Sequence, residues 1–391
     1  MPGVVIVGAS LAGLRSAWAQ RAGGYDGEVV LVGDEPHAPY DRPPLSKQLL
    51  TGEWDASKIA LGEARDVEHR YGVRAVELDV DRREVGLAGG ERLAFEHVVV
   101  ATGASPRTLR TALDGVHTLR TLDDSLAVKA ALDARPRRVV VVGAGFIGAE
   151  VAAVARTMGL DVTILEALPV PLARGLGPTL GPAVAAIHLD HGVDLRLGVA
   201  VDDLEGDGRV ERVVLTDGTV VDADLVVVGI GVVPNTAWLE GSGLELGDGV
   251  VCDEALRAAP GVWAIGDVCR WPHPLLGEVV RIEHWTNAVE QAQHVGRSIA
   301  TGTPAPFGTV PFVWSDQYDH RIQVLGRPEA DHDVEVVAGS FESRCFVALT
   351  SEDGRLTGAV GMDDPRRTMR FRKALADRLS LDDARRLVAD G

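Results

Sequence analysis

One pattern occurs twice in this chain: a β-branched apolar run that ends in glycines and continues into a helical segment. The first copy is VVIVGASLAG at residues 4–13, and the second is VVVVGAGFIG at residues 139–148. In this context the glycines permit a tight turn and a close backbone approach to a pyrophosphate at a helix N-terminus. The sequence therefore predicts two Rossmann-type units that bind two dinucleotides in one polypeptide.

A carboxylate follows the next apolar run of each unit. Asp34 and Glu35 come after residues 29–32, and Glu166 comes directly after residues 162–165. A carboxylate about 20 residues beyond the glycines can hydrogen-bond the ribose hydroxyls of a dinucleotide, and it repels a 2′-phosphate. Glu166 therefore favours NADH over NADPH. Ser10 departs from the pattern, because it occupies the position of the second glycine in the first copy.

Charge and length limit the class of protein. A chain of 391 residues fits two or three domains. Its formal net charge of −18 argues against nucleic acid as the main partner, because binding to phosphates requires clustered Lys and Arg. No apolar stretch is long enough to span a bilayer, and the first motif begins almost at residue 1. We therefore expect a cytoplasmic protein with no membrane partner and no targeting segment.

The cysteines and histidines do not form a recognisable metal pattern. Cys252, Cys269 and Cys345 are scattered, which indicates a reducing compartment and neither a disulfide framework nor a metal cluster. His188 and His191 share a helical face without ligands nearby in sequence, so a surface position is expected for both. Ser46 and Ser315 have no evident acid or base partner, which excludes a hydrolase triad.

Local patterns outline the rest of the chain. A proline-rich loop at 36–47 can be neither a regular helix nor a central strand. Alternating residues near 73–87 predict antiparallel strands, and the Asp-Gly pairs at 207–208 and 217–218 predict hairpins. Helices are predicted at 287–300 and, with a basic face, at 365–377.

Seven motifs together resemble the FAD-dependent pyridine nucleotide-disulfide oxidoreductase superfamily. More closely, they are similar to the ferredoxin reductases that serve bacterial Rieske oxygenases and haem-thiolate monooxygenases. The resemblance covers the chain nearly from end to end. Its motifs are YDRPPLSK at 40–47, ATG at 101–103, GAGFIGAE at 143–150, GVVPN at 231–235, AIGDV at 264–268, RIEHWTNA at 281–288 and WSDQ at 314–317.

The resemblance implies an α/β, glutathione-reductase-like fold with two Rossmann-type nucleotide-binding domains and a C-terminal α+β domain. The implied FAD-binding domain is discontinuous and comprises residues 1–108 and 242–311. The NAD-binding domain is inserted at 109–241, and the C-terminal domain occupies 312–391.

The resemblance and the glycine motifs together give the expected cofactor contacts. Asp267 is expected to bind the ribityl chain, Trp285 and Trp314 to lie by the flavin ring, and Arg120 and the backbone of Ala75 to contact the adenine half of FAD. The expected FAD residues are Gly8, Ser10, Ala12, Gly13, Asp34, Glu35, Arg42, Pro43, Lys47, Ala75, Ala101, Thr102, Gly103, Arg120, Gly266, Asp267, Glu283, Trp285 and Trp314. The expected NAD residues are Gly143, Gly145, Ile147, Gly148, Glu150, Glu166 and Gly231.

The resemblance also implies the catalytic pair. Lys47 is expected near flavin N5 and paired with Glu150, where its positive charge would stabilise the charge that gathers on reduced flavin. The hypothesis is hydride transfer from NADH C4 to flavin N5, followed by release of single electrons.

The electron acceptor is inferred partly from a missing residue type. The segment 36–50 contains no cysteine, whereas electron transfer through a thiol requires a sulfur at the flavin. A small, acidic iron–sulfur ferredoxin that feeds a haem-thiolate monooxygenase or a Rieske dioxygenase is the expected partner. Candidate residues for its docking are Arg297, Arg321, Arg366, Arg367, Arg370, Arg372 and Lys373. Two alternatives stay open: an NADH oxidase or diaphorase, and a non-enzymatic redox-sensing protein that keeps FAD and NAD as structural ligands.

Overall fold

The computed structural model describes residues 3–389, which divide into two compact units. The first unit contains residues 3–41, 59–105 and 233–311. The second contains residues 42–58, 106–232 and 312–389. Each unit is therefore assembled from segments that are far apart in the sequence.

A six-stranded sheet forms the centre of the first unit. Its strands lie in the order Arg257–Ala259, Val262–Ala264, His97–Val100, Val4–Val7, Val29–Val32 and Glu68–Arg70. All neighbours are parallel except the first pair. The central strands are continuous valine-rich runs because both faces of a parallel sheet are buried.

Two helices of the first unit, Leu11–Ala22 and Trp285–Thr301, pack closely on each other. Gly296 permits this approach, because a Cβ atom there would lie 2.7 Å from the carbonyl oxygen of Ser16. Smaller strands of the unit are Ala75–Asp79, Glu84–Leu87 and Arg92–Ala94 in one sheet, and Leu246–Gly247, Gly249–Val251, Cys269–His273 and Glu278–Val280 in another. The 3-10 helices are Ala237–Leu239 and Gly266–Val268, and the segments Ala104–Pro106 and Val232–Pro234 form a two-stranded sheet.

The second unit contains a five-stranded parallel sheet. Its strands lie in the order Asp194–Leu197, Asp161–Glu166, Arg138–Val142, Leu225–Val228 and Val116–Thr118. The helices that accompany it are Leu122–Asp133, Phe146–Thr157 and Ala173–Asp190, and the strands Val201–Glu205, Arg212–Leu215 and Val220–Asp222 form an antiparallel meander. Thr121 and Asp124 begin the first of these helices with a reciprocal capping box. The proline-rich segment forms the 3-10 helix Pro43–Ser46, and the short helix Gln48–Thr51 follows it.

The C-terminal segment of the second unit is an antiparallel sheet with two helices. The strands lie in the order Phe312–Gln317, His320–Gly326, Arg355–Met362, Cys345–Glu352 and Asp333–Ser340, and the helices are Pro365–Ala376 and Leu381–Ala389. One face of this sheet shares a hydrophobic cluster with the helix Ala173–Asp190, in which Leu180 and Ile187 pack with Phe346 and Met362. The segment is thus continuous with the core of its unit.

Most local predictions are confirmed. The predicted antiparallel strands near 73–87 and the Asp-Gly hairpins are present, with Gly208 and Gly218 at φ +72 and +84. The helix predicted at 287–300 begins two residues earlier, at Trp285, and the basic helix spans Pro365–Ala376. Across residues 3–389, none of the helices has both the length and the apolar character needed to cross a bilayer.

Candidate functional site

The glycine loop of the first unit is held by backbone contacts. Gly8 has φ +122, and a Cβ atom there would lie 2.1 Å from the carbonyl oxygen of Ala101. A Cβ atom at Gly13 would lie 2.0 Å from the carbonyl oxygen of Gly8. These glycines therefore serve the close packing of strand, loop and helix that a dinucleotide motif requires.

The helix that begins at Leu11 fits an anionic ligand. Its first turn contains no acidic residue, although the chain is strongly acidic, so nothing there repels a pyrophosphate. Ser10 takes the N-cap position with an extended backbone. Gly266 lies beside this turn with φ +72, and a Cβ atom there would lie 3.4 Å from Ala12. Its N–H donates to Oε1 of Gln291 at 2.7 Å, a partner that the sequence did not reveal.

The two acids after the strand Val29–Val32 differ in their surroundings. Glu35 is half-buried and accepts a hydrogen bond from the hydroxyl of Tyr40. Asp34 is exposed, and its carboxylate lies 3.7 Å from the guanidinium of Arg74. The hydrogen bond holds the Glu35 carboxylate in place, so Glu35 is the better ordered of the two candidate ribose ligands.

Further candidate FAD residues of the first unit lie in short hydrogen-bonded loops. Asn235 clamps the ATG motif: its Nδ2 donates to the Thr102 carbonyl at 2.8 Å, and its N–H donates to the Gly103 carbonyl at 2.9 Å. Ala75 and Ala101 are buried, so only their backbones are available to a ligand.

Arg281 organises the loop that contains Asp267 and Glu283. Its guanidinium donates to the Asp267 carbonyl at 3.0 Å and lies 2.7 Å from the Glu283 carboxylate. The indole N–H of Trp285 donates to Asp41 at 2.6 Å, which fixes the ring. Sequence reasoning gave Arg281 and Asp41 no role, although both lie in the quoted motifs.

The glycine loop of the second unit repeats this construction with one difference. Gly143 and Gly148 are required by packing, because Cβ atoms there would lie 2.3 Å from the Gly229 carbonyl oxygen and 2.1 Å from the Gly143 carbonyl oxygen. Gly145 has φ −74, and a Cβ atom there would meet nothing closer than 3.9 Å. Neither packing nor backbone conformation requires glycine at this position. Its missing side chain leaves the helix N-terminus open, and this fits a bound pyrophosphate.

The carboxylate of Glu166 is tied to this loop. Its Oε2 accepts the Ala144 N–H at 2.6 Å, and its Oε1 accepts the Leu168 N–H at 2.9 Å. Each oxygen keeps a lone pair for a further donor. Ile147, in the first helical turn, is 42% exposed, and Gly231 has φ +96 with open space where a Cβ would lie.

Lys47 and Glu150 form an ion pair in the second unit. Their Nζ and Oε2 atoms lie 2.8 Å apart, and the side chains are 12% and 3% exposed. Lys47 also donates to the Pro43 carbonyl at 3.1 Å. Glu150 lies on the helix Phe146–Thr157, which is buried along almost its whole length. A buried charge requires a partner, and the proline-rich segment supplies it.

The prediction that Ser46 and Ser315 lack an acid partner is wrong. Ser46 donates to Oε2 of Glu150, and Ser315 donates to Oε1 of Glu150 at 2.7 Å. Both hydroxyls satisfy a buried carboxylate whose partners come from three separate parts of the sequence. The geometry is that of a hydrogen-bonded ion pair, in which both buried hydroxyls donate to the carboxylate that is paired with Lys47.

The surface position expected for His188 is also wrong. His188 is 1% exposed, because the helix Ala173–Asp190 is covered by the C-terminal sheet. Its Nε2 lies 3.1 Å from Oε1 of Gln317, and its Nδ1 lies 3.2 Å from the hydroxyl of Tyr318. His191 is half-buried and stacks on the Tyr318 ring with centroids 3.6 Å apart. Neither histidine was assigned these partners from the sequence.

Five of the expected FAD residues belong to the second unit, and the others belong to the first. Those in the second unit are Arg42, Pro43, Lys47, Arg120 and Trp314. The guanidinium of Arg42 donates to the Arg120 carbonyl, so these two are brought together. Trp314 stacks with Phe312 at a centroid distance of 5.9 Å.

The three cysteines are free thiols. Cys252 and Cys269 are buried in the core of the first unit with their sulfurs 3.9 Å apart, whereas Cys345 is exposed. Desolvation raises the pKa of the Cys269 thiol well above its usual range, so this thiol is inert.

Two family models match the chain. Residues 2–292 match the model described as pyridine nucleotide-disulphide oxidoreductase, and residues 312–390 match the model described as reductase C-terminal. Rhodocoxin reductase of Rhodococcus erythropolis is 39% identical over 388 residues, which cover 97% of this chain and 90% of that protein. A second relative is the ferredoxin–NAD(+) reductase component of the p-cumate 2,3-dioxygenase system of Pseudomonas putida. It is 35% identical, and the match covers 98% of this chain and 95% of that protein.

Solved structures agree with these matches. The putidaredoxin reductase–putidaredoxin complex has a TM-score of 0.92 at 32% identity, covering 97% of this chain and 94% of the other. The ferredoxin reductase for the CYP199A2 system of Rhodopseudomonas palustris has a TM-score of 0.93 at 35% identity, and the match covers 97% of this chain and 96% of the other. The predicted glutathione-reductase-like α/β fold with a C-terminal α+β segment is confirmed.

Proposed function

The chain belongs to the pyridine nucleotide-disulphide oxidoreductase family, and we propose that it is an NADH-dependent ferredoxin reductase with FAD as its prosthetic group. The observation that carries this proposal is the buried Lys47–Glu150 ion pair in a segment that contains no cysteine. A charge pair can stabilise a reduced flavin but cannot relay electrons as a thiol does, so the acceptor has to be an external carrier.

The residues divide into two cofactor sites. We assign residues 1–108 and 242–311 to an FAD-binding domain, 109–241 to an NAD-binding domain and 312–391 to a C-terminal domain. The loop at Gly8 and the helix from Leu11 would hold the FAD pyrophosphate, and the loop at Gly145 would hold that of NADH. None of the three cysteines forms a disulfide in the described residues, which suits a cytoplasmic protein.

Bound FAD would supply the redox chemistry, namely acceptance of a hydride from NADH and release of single electrons. The contribution of this chain is electrostatic and geometric. Lys47 would supply a fixed positive charge to the flavin as negative charge develops on it, and the ion pair with Glu150 holds the ammonium in place. Ser46 and Ser315 occupy both oxygens of Glu150, so the carboxylate is held without bulk water.

The partner is an acidic iron–sulfur ferredoxin that supplies a haem-thiolate monooxygenase or a Rieske dioxygenase. The helix Pro365–Ala376 supports this, because it presents exposed basic side chains on a chain with net charge −18. Arg367 and Lys373 are paired with Asp364 and Asp377 at 2.8 and 2.6 Å. Arg366 and Arg370 are exposed on the same helix and are therefore the better docking candidates.

The test is anaerobic mixing of the flavin-loaded protein with NADH or NADPH, followed by addition of a plant-type or a Rieske-type ferredoxin. We expect fast bleaching of the flavin by NADH, slow bleaching by NADPH, and return of the flavin absorbance as ferredoxin is reduced. Rapid NADH consumption in air without a carrier would instead identify an oxidase. A reduced flavin that persists in the presence of ferredoxins would identify a sensor.

A further inference from the structure

The hydrogen bonds that begin at Glu150 continue beyond Ser315 into the core of the second unit. Nε2 of Gln317 lies 3.2 Å from the Ser315 hydroxyl, and Oε1 of Gln317 lies 3.1 Å from Nε2 of His188. Ser315, Gln317 and His188 are at most 1% exposed. This buried series of three side chains ends at Glu150, and the proposed reaction gives no role to Gln317 or His188.

Donor and acceptor chemistry fixes the direction of every hydrogen bond in this series of side chains. The Glu150 carboxylate can only accept, so Ser315 donates to it and must accept from the Gln317 amide. The Gln317 carbonyl must then accept from Nε2–H of His188, which leaves Nδ1 to accept from Tyr318. Burial lowers the pKa of His188 to about 4, which agrees with a neutral ring in this tautomer. All donors thus point toward Glu150.

This arrangement suits the holding of a charge. A neutral amide in the middle of a chain is a poor carrier of protons, so a proton wire is disfavoured. A carboxylate that accepts bonds from polarised donors is instead fixed in its rotamer, because aligned hydrogen bonds strengthen one another in a low dielectric. Loss of any member would leave a buried polar atom without its partner.

We propose that His188 is a positioning residue for Lys47: acting through Gln317 and Ser315, it fixes the Glu150 carboxylate that holds the ammonium group. This inference rests on the proposed function only for the catalytic role of Lys47. The positioning itself is a property of the folded chain and can be measured without turnover.

Nuclear magnetic resonance of the ammonium groups provides the measurement. The chain has four lysines, Lys47, Lys58, Lys129 and Lys373, so ¹⁵N-lysine labelling gives a simple spectrum. A held, nearly buried ammonium exchanges its protons slowly with water, and a Lys47→Arg variant assigns its signal. The full-length, flavin-loaded protein is compared with Ser315→Ala, His188→Phe and His188→Gln. Thr350→Val is the matched control, because Thr350 is a buried hydroxyl of the C-terminal sheet that bonds to Thr357.

We expect exchange at Lys47 to become about tenfold faster in Ser315→Ala and several-fold faster in His188→Phe, because a bond to a charged group is lost or weakened. His188→Gln, which can keep a donor near the Nε2 position, should restore slow exchange, and Thr350→Val should not change it. Unchanged exchange in either Ser315→Ala or His188→Phe would overturn the proposal. Slow Lys47 exchange in a protein that fails to reduce ferredoxin would overturn the proposed function and leave this inference standing.

Discussion

Ser315 donates a 2.7 Å hydrogen bond to the oxygen of Glu150 opposite the one that holds Lys47. The carboxylate therefore lies between a hydroxyl of the C-terminal sheet and an ammonium of the proline-rich segment. Because this group is 3% exposed, its charge is compensated almost entirely by protein atoms.

Replacement of Lys47 by Met should slow flavin reduction by NADH about 100-fold, because a preorganised charge is lost. It should also destabilise the protein by about 3 kcal/mol, because Glu150 stays buried without its counter-charge. Stopped-flow absorbance and thermal unfolding measure the two effects. Lys58→Met, at an exposed position of the same unit, is the control. A variant that keeps both FAD and a normal reduction rate would remove Lys47 from the mechanism.

Replacement of Glu166 by Gln should reduce the preference for NADH over NADPH about tenfold. The amide oxygen can still accept the Ala144 N–H of the glycine loop, whereas the Leu168 N–H loses its acceptor and the negative charge is lost. The ratio of kcat/KM for the two nucleotides is the measurement. Equal rates of flavin reduction by NADH and NADPH in the unmodified protein would show that the role given to Glu166 is wrong.

Replacement of Gly145 by Ala should weaken NADH binding while the free energy of unfolding changes by less than about 1 kcal/mol. The backbone conformation and the surrounding space both accept a methyl group, which would occupy only the ligand side. Gly148→Ala is the contrast: its methyl group would lie 2.1 Å from a carbonyl oxygen, so it should destabilise the fold. Titration calorimetry and unfolding curves separate the two cases.

Replacement of Arg366 and Arg370 by Glu should raise the KM for ferredoxin about tenfold at low salt, and the difference should shrink as salt is added. Activity with the small acceptor ferricyanide should stay unchanged. Arg65→Glu combined with Arg82→Glu, at two exposed sites in the first unit, is the control with the same change in net charge. An equal effect of this control variant would indicate a general charge effect and no docking at the C-terminal helix.

Stability should fall on acidification, partly because of His188. Burial lowers its folded-state pKa from 6.5 to about 4, so the unfolded chain takes up a proton first as the pH falls. The contribution of His188 to the free energy of unfolding is complete above pH 6.5 and is lost as the pH falls toward 4. At pH 5 this loss is about 2 kcal/mol. Unfolding curves of His188→Gln at pH 7 and pH 5 should therefore differ less than those of the parent. Burial lowers the pKa of His284 in the same way, so part of the parental slope should remain.

The sequence was sufficient for features that depend on neighbouring residues. Valine runs before glycines identified the central strands of both parallel sheets, and Asp-Gly pairs identified the hairpins, because backbone conformation there is decided locally. The hydrogen-bond partners of Glu150 could not be predicted from neighbouring residues. Its partners Lys47 and Ser315 come from distant segments, and only the fold brings them together.

One signal for this environment was nevertheless present. Glu150 is the only charged residue between Phe146 and Ala155, and an acid within such an apolar helix predicts a buried, paired group. Ser315 and Gln317 also share a face by strand alternation. His188 was misplaced because the periodicity of one helix does not reveal that a second sheet covers it.

The shared hydrophobic cluster between the helix Ala173–Asp190 and the C-terminal strands has a consequence for protein engineering. A chain truncated after Pro311 would lose Ser315 and expose Ile187 to solvent. We therefore expect such a shortened protein to aggregate. Exchange of residues 312–389 between relatives would likewise replace the Ser315 side of the Glu150 environment. Such chimaeras should fold only when the helix Ala173–Asp190 and the C-terminal strands come from the same parent protein.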